Sequence, residues 1–475
     1  MAEPRAPGLS RALLPGALAA IAAMALCLPA SMLTQPLPGA EAPHRDVAMT
    51  LAAAQAFVAD AWRWPPLAFE GLSERHPTSV LFMDAAPLYS LVWKLLSGGA
   101  TAEMAYFLTA LLVGAFALQG IAGALALRLL GVTARGPLFF GALMIALFPA
   151  FLHRLEMHLA LAHHGLVVLA VAMALAPRAR GEMGWPRLAG WAGLLAAAAL
   201  LHAYLLAMTL GCFLLSVLRA LIERRPADLS RPGLIARGGA VAGLVVALMA
   251  VAGYFDGAPS AAAGFGHFSL NLAGAAIHDG ASRLLASLGF PEGQEEGFAY
   301  LPLGVLGMLA LGTGLALAGR GVAPAHHALT RPAGRALMLA TGAGVVVFAA
   351  GGRLALGTWE LGTIPLPWPL PEIGEVFRAS GRFVWIVAYA LVLLAMARVA
   401  RALGPRRAGL ALGAAAAAVI VEMAPQREAA VPPPPGLYAG SPVLRAAVAG
   451  VSRIAVQPPW GCGGPNRDAA DKELQ

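Results

Sequence analysis

The sequence predicts an all-α polytopic membrane protein with about 11 transmembrane helices. Three observations predict it. Of 475 residues, 59% are hydrophobic and only 12% are charged, about half the charged share of a soluble domain. Mean hydropathy is +0.71. The apolar residues fall in long runs, which need lipid as their solvent.

The first run, from Leu13 to about Leu33, follows a short basic start. It competes with a cleaved signal peptide. Its length, and the absence of a following A-x-A site, favour an uncleaved first helix. Later spans are expected near 104–127, 136–152, 158–176, 188–203, 204–222, 239–255, 300–319, 335–352, 380–397 and 408–424. The stretch from Gly190 to Ile222 would be about 50 Å long as one helix, against a core of about 30 Å. Two spans turning at His202-Ala203-Tyr204 are expected instead.

Eleven spans with the N-terminus inside place 128–135, 178–187, 219–237, 320–335 and 398–407 on the inner side. With the N-terminus these hold 19 of the 33 Lys and Arg, and four acids, Glu3, Glu182, Glu223 and Asp228. The other 21 acids fall on or near the outer side. That asymmetry fits the positive-inside rule and sets the orientation. The Ala, Gly, Arg and Leu richness points to a high-GC bacterial genome, and so to the bacterial inner (cytoplasmic) membrane. The net charge of +8 reads as membrane topology, not as nucleic-acid binding. Cys27, Cys212 and Cys462 have no metal or disulfide spacing. No Walker A or G-x-G-x-x-G motif is present, which argues against an ATP-driven pump.

A membrane domain is therefore expected over 1–424, with outer loops at 34–100, 256–299 and 353–379. From 425 to 475 the chain becomes an outer Pro-rich linker, Val431-Pro432-Pro433-Pro434-Pro435, with one short strand near Ser452–Val456. It ends where an outer domain would begin.

Polar residues concentrate in the outer loops. Val47, Leu51, Ala54, Val58 and Trp62 recur at helical spacing, as in an amphipathic helix on the membrane surface. A second surface helix is expected over about Ala85–Leu96. Asp46 and Asp84 each precede or open such a helix. Each reads either as an N-cap or as a catalytic base or metal ligand. Arg154 and His158 are four apart on one helix face, with His163-His164 close behind; they are a solvated interfacial cluster or a site for an anionic head group. There is no H-E-x-x-H zinc motif. Arg378 and Arg382 are again four apart. They either snorkel to the interface or clamp a phosphate through forked hydrogen bonds.

Five elements resemble the bacterial membrane-protein family called domain of unknown function 6311. They are Asp46, Phe82-Met83-Asp84-Ala85-Ala86-Pro87-Leu88, and Arg154 with His158 and His164. The others are Gly264-Phe265-Gly266 through Asn271 with Gly293-Gln294-x-Glu296-Gly297-Phe298-x-Tyr300, and Phe377-Arg378-Ala379-Ser380-Gly381-Arg382-Phe383. The family in turn looks like the integral-membrane glycosyltransferases of the C-type fold. That likeness implies a long first outer loop with two surface helices, and an acidic base or metal ligand in it, matched by Asp46. It also implies a polyprenyl-phosphate-linked sugar as donor, a glycan or lipid acceptor, and chemistry on the outer face. A divalent cation is the one cofactor it makes conceivable, although no tandem acidic pair stands beside Asp46. On this reading Asp46 and Asp84 are the catalytic candidates. Arg154, His158, His164, Arg378, Arg382, Gln294 and Glu296 are the substrate- and phosphate-binding candidates. The rival expectations are a transporter or flippase for a lipid-linked saccharide, against which few charged residues stand at span centres (Glu103 and Gln119 the exceptions) and no inverted repeat is evident, and a non-catalytic envelope-assembly protein.

Overall fold

The computed structural model describes residues 8–33, 45–70, 78–101, 103–176, 183–223, 229–256, 264–320 and 332–429. The Pro-rich linker and the strand expected near 452–456 lie outside the described residues. In chain order the helices begin with α1 (Ser10–Cys27), α2 (Arg45–Ala59), α3 (Pro87–Ser97), α4 (Phe107–Leu129) and α5 (Arg135–Ala146). Next come α6 (Pro149–Leu155), α7 (Gly165–Leu175), α8 (Trp185–Ala199), α9 (Ala203–Ile222) and α10 (Arg231–Ala252). The series ends with α11 (Leu303–Leu317), α12 (Pro332–Ala350), α13 (Leu370–Val376), α14 (Val384–Glu422) and α15 (Ala424–Ala429).

The protein is mostly helical and built for a membrane. Among the described residues six helical segments are long and apolar enough to cross one: α1, α4, α9, α10, α12 and the segment Ser380–Glu422. A seventh forms if α5 and α6 count as one span bent by 47°. The bend has a local cause. Phe148 precedes Pro149 and is extended (ψ 130°), because the proline ring excludes the helical region for the residue before it. Helices α7, α8 and α11 fall where spans were expected but hold only 11, 15 and 15 residues, fewer than the roughly 20 of a simple crossing. The 39 residues of α14 would measure about 58 Å as one rod. Gly404, at φ 73° and followed by Pro405, breaks it into two helices.

Small residues bring the central helices together. A β-carbon on Gly16 would lie 2.8 Å from the Ile121 backbone, and one on Gly120 would lie 2.7 Å from the Ala20 backbone. Backbones of α1 and α4 therefore touch, as glycine allows in membrane interfaces. Gly312 meets Ala395 in the same way between α11 and α14. By contrast α10 and α12 bury only 22% of their apolar windows, so their remaining faces have lipid as the available partner.

Two short ladders depart from the all-α expectation. Ala68–Phe69 pairs with Thr78–Ser79, and Arg353–Leu356 pairs antiparallel with Trp359–Thr363. The second is a hairpin closed at Gly357, whose φ of 60° suits glycine. The first-loop helices form near their expected places, with differences at the ends. Helix α2 stops at Ala59, so Trp62 lies beyond it and stays exposed. The apolar face of α2 does not rest on the bilayer: Val47, Ala54, Phe57 and Val58 are fully buried against the rest of the protein. Lys94 of α3 locks the pair, its ammonium 4.2 Å from the Phe57 ring and 4.7 Å from that of Trp62.

Candidate functional site

Six polar side chains from separate parts of the chain meet beside the α8–α9 turn. The first is Asp84. Its backbone is left-handed (φ 50°), as is that of Ala86 (φ 44°), a conformation that costs non-glycine residues roughly 1–3 kcal/mol and clusters at functional sites. Thr50 of α2 holds the segment: its hydroxyl hydrogen-bonds the carbonyls of Asp46, at 2.9 Å, and Asp84, at 3.2 Å. Pro87 then opens α3. The result aims the Asp84 carboxylate at two histidines. His158 Nδ1 donates to Oδ2 at 3.0 Å, and His202 Nε2 lies 3.6 Å from Oδ1.

Glu296 forms the second centre. One carboxylate oxygen, Oε2, is shared by Arg154 Nη1 at 2.8 Å, Arg382 Nη2 at 2.8 Å and Arg382 Nε at 3.0 Å. Arg154 Nη2 also donates to the Glu296 carbonyl at 3.0 Å. The other oxygen, Oε1, is 3.8 Å from His158 Nε2. His158 thus links the two carboxylates. Trp385 lies under Arg154 at 5.4 Å and Tyr204 under Arg382 at 4.8 Å.

Three glycine-containing segments make this possible. A β-carbon on Gly381 would meet Gly297 Cα at 2.7 Å and the Ser269 carbonyl carbon at 2.8 Å. The Gly381 amide donates to the Phe268 carbonyl at 3.1 Å. Backbone therefore packs on backbone where the motifs around Phe268, Gly297 and Gly381 cross. Glu296 and Arg382 stand one residue from that crossing, which fixes their separation.

The charges are unequal in strength. Burial alone would push the Glu296 carboxyl up, but Arg154, His158 and Arg382 hold it well below the carboxylate range. For His158, burial opposes the charge; the hydrogen bond to Asp84 and the nearby Glu296 carboxylate outweigh it and raise the imidazole above 6.5. His202 goes the other way. Burial, aided by nearby Arg382 and resisted by Asp84, brings it to about 4. The cluster thus favours the charged form of His158 and the neutral form of His202, on either side of Asp84.

One consequence is measurable. The folded pKa of His158 is raised, so its contribution to stability is complete below the unfolded value near 6.5 and is lost as pH rises through the folded value. The stability difference between wild type and His158→Gln is expected to shrink as pH is raised from about 6 to 9. Thermal unfolding of both proteins across that range reads it; a difference that grows with pH contradicts the assignment.

The remaining expected site residues lie at varied distances. His164 sits behind the cluster, its ring packed at a tilt of 37° against Trp385 with centroids 4.3 Å apart, and Nδ1 3.0 Å from the Tyr389 hydroxyl. Gln119, fully buried, donates to the same hydroxyl at 3.1 Å and to the Ile145 carbonyl. Gln294 is taken up in scaffolding: it accepts from Asn271 at 2.7 Å and donates to Ser269 at 3.0 Å. Arg378 is exposed at the rim, over the Phe268 ring at 5.1 Å. Asp46 is half-buried in the first turn of α2, one turn before Thr50. Glu103 is exposed. Among the described residues no group of three His, Cys, Asp or Glu side chains is arranged to hold a metal ion.

The motifs that meet here also decide the family. The family described as domain of unknown function (DUF6311) matches residues 17–424. The chain belongs to it. The DUF6311 match spans all six clustered residues, from Asp84 to Arg382, and ends where the Pro-rich tail begins. No curated protein matches this DUF6311 chain.

Three contributors to the DUF6311 cluster had no motif to announce them. His202 and Tyr204 read as polar markers of a turn, and the signal available was a histidine at a helix start. Trp385, fully buried with its indole N–H donating to the Phe298 carbonyl at 2.9 Å, reads in sequence as one apolar residue among many.

Proposed function

We propose that this protein is a membrane glycosyltransferase. It moves a sugar from a polyprenyl-phosphate donor to an envelope glycan or lipid acceptor, on the periplasmic face of the bacterial inner membrane. The observation that carries the reading is the convergence of Asp84, Arg154, His158, His202, Glu296 and Arg382 on one partly exposed point. With His158 protonated, three cations face two carboxylates there. That surplus suits an anionic lipid phosphate, and Arg378 extends it to the rim.

In this reading Asp84 is the general base. The acceptor hydroxyl loses its proton to the carboxylate and its oxygen bonds to the anomeric carbon. The bond from that carbon to the phosphate oxygen breaks, and the electron pair leaves on the phosphate. Arg382, Arg154 and His158 stabilise the charge that develops. Asp46, the base expected from the family likeness, is a neighbour through Thr50, while Asp84 stands in the cluster itself. No step runs through a metal ion. Orientation follows the charge asymmetry, with the N-terminus in the cytoplasm and the C-terminal region in the periplasm. An eleven-span count is kept here: the short α7, α8 and α11 cross in a thinned or protein-lined zone, and α14 crosses twice about Gly404.

Deletion of the gene, followed by complementation, tests the proposal. Wild type should restore the missing glycan, and Asp84→Asn should lower product by about 100-fold or more while the donor lipid accumulates. Mass spectrometry of lipid-linked and surface glycans reads both. A flippase would alter the side on which the lipid-linked saccharide resides and leave its structure unchanged. Identical glycans with and without the gene would refute the transferase.

A further inference from the structure

We infer that the turn between α8 and α9 supplies the donor that seats the acceptor hydroxyl: the hydroxyl lies between His202 Nε2 and Asp84 Oδ1, accepting from the first and donating to the second. The inference rests on the transferase reading and adds to it a residue that no motif marked.

Three observations carry it. The first is a fixed tautomer. His202 is the N-cap of α9, and its Nδ1 accepts a hydrogen bond from the Tyr204 amide at 3.1 Å. With Nδ1 an acceptor, the one proton of the neutral ring must sit on Nε2. The helix cap thus decides which ring nitrogen is a donor. The second is direction. Nε2 faces Asp84 Oδ1 at 3.6 Å, too far for a hydrogen bond. A single oxygen set to one side of that line reaches both atoms at about 2.8 Å. The third is an orphaned acceptor. Asp84 Oδ1 is buried and accepts no hydrogen bond among the described residues, whereas Oδ2 is held by His158. A buried carboxylate oxygen without a donor is costly, and it marks the face of Asp84 left for a ligand. The side chains of His202 and Asp84 keep 17% and 11% of their exposure, so the pair lies close to the surroundings although Oδ1 itself is covered.

The chemistry is balanced. The hydroxyl proton passes to Asp84 Oδ1, which becomes a neutral acid. The hydroxyl oxygen bonds to the anomeric carbon as the carbon–oxygen bond to phosphate breaks, and the leaving phosphate keeps the electron pair. His202 gives up no proton. Its role is to hold the oxygen and orient the lone pair, and neutrality suits it, because a cationic ring would pair with the carboxylate directly.

Two substitutions separate this role from capping. His202→Asn keeps an oxygen where Nδ1 stands, so it preserves the cap but removes the donor. His202→Gln reaches to the position of Nε2 and keeps a donor there. Both are made in the full-length chain in lipid nanodiscs. Transfer is measured from the lipid-linked sugar that accumulates in the deletion strain. The expected result is a fall in kcat of about 100-fold or more for His202→Asn, at an unfolding temperature within about 2 °C of wild type. His202→Gln should stay within about 10-fold of wild type. Any order other than Gln above Asn overturns the assignment. A readout independent of turnover is the 15N spectrum of histidine-labelled wild type, with His202 identified by its loss in His202→Gln. A neutral ring protonated at Nε2 at pH 7 is required; protonation at Nδ1, or at both nitrogens, overturns the inference and leaves the transferase reading intact. A wild-type chain that carries the correct tautomer but transfers no sugar overturns the transferase reading, and the hydroxyl seat with it.

Discussion

Replacing Glu296 by alanine is expected to cost about 3–5 kcal/mol of folding stability. The reason lies in what remains. Arg154 is 1% exposed and Arg382 is 7% exposed. Both spend their strongest hydrogen bonds on one carboxylate oxygen of Glu296. Remove it, and two buried guanidiniums face each other without a counter-charge. The aromatic partners Trp385 and Tyr204 offset little of this, since a cation–π contact contributes about 0.5–2 kcal/mol. Glu296→Gln keeps the shape and should fall between alanine and wild type. Thermal unfolding and the monodisperse yield after size exclusion measure the effect. An alanine variant as stable as wild type would contradict the described ion triad. The pH dependence has a definite sign: a carboxyl held below its ordinary value stabilises the fold above that value and loses its effect only as pH falls through the folded one. Mild acid should therefore leave the triad intact.

Gly381→Leu is the second large effect. The added side chain would start within 2.7–2.9 Å of Gly297 and Ser269 backbone atoms, and backbone cannot rotate away as a flexible side chain can. Overpacking of this kind costs about 1–3 kcal/mol. The larger loss is geometric. Arg382 and Glu296 are the next-door residues of Gly381 and Gly297, so separating the two glycines by about 1 Å moves both ends of the ion pair, and displacement on that scale costs about 100-fold in a positioned reaction. A folded Gly381→Leu protein that retains full activity in the proposed sugar transfer would show that the crossing does not position the site.

The helices and the turn at His202 were legible in the sequence because apolar runs and their polar breaks have lengths set by lipid. What remained illegible is also physical. Whether α7, with 11 residues, crosses a membrane depends on its neighbours and not on its own composition. The face of α2 was read correctly as apolar, yet its partner was protein, because helical periodicity identifies a face and not what covers it. Arg154 with His158, and Arg382, were found through their spacing and motifs. Glu296 stood out only as part of a loop motif, and its position between two arginines comes from contacts 142 and 86 residues away in sequence. Gln294, two residues before it, belongs to the scaffold. Nothing in the local sequence tells the two apart, since both are polar residues of one short turn.

The order of the ion triad along the chain bears on how the protein is made. Arg154 leaves the ribosome 142 residues before Glu296. At about 5–20 residues per second, that is roughly 7–28 s during which the Arg154 guanidinium lacks the Glu296 carboxylate. The nascent chain must hold Arg154 near the lipid–water boundary, or shelter it against the insertion machinery, until the later loop arrives. A product truncated after α10 would lack Glu296 and leave this buried guanidinium without its counter-charge.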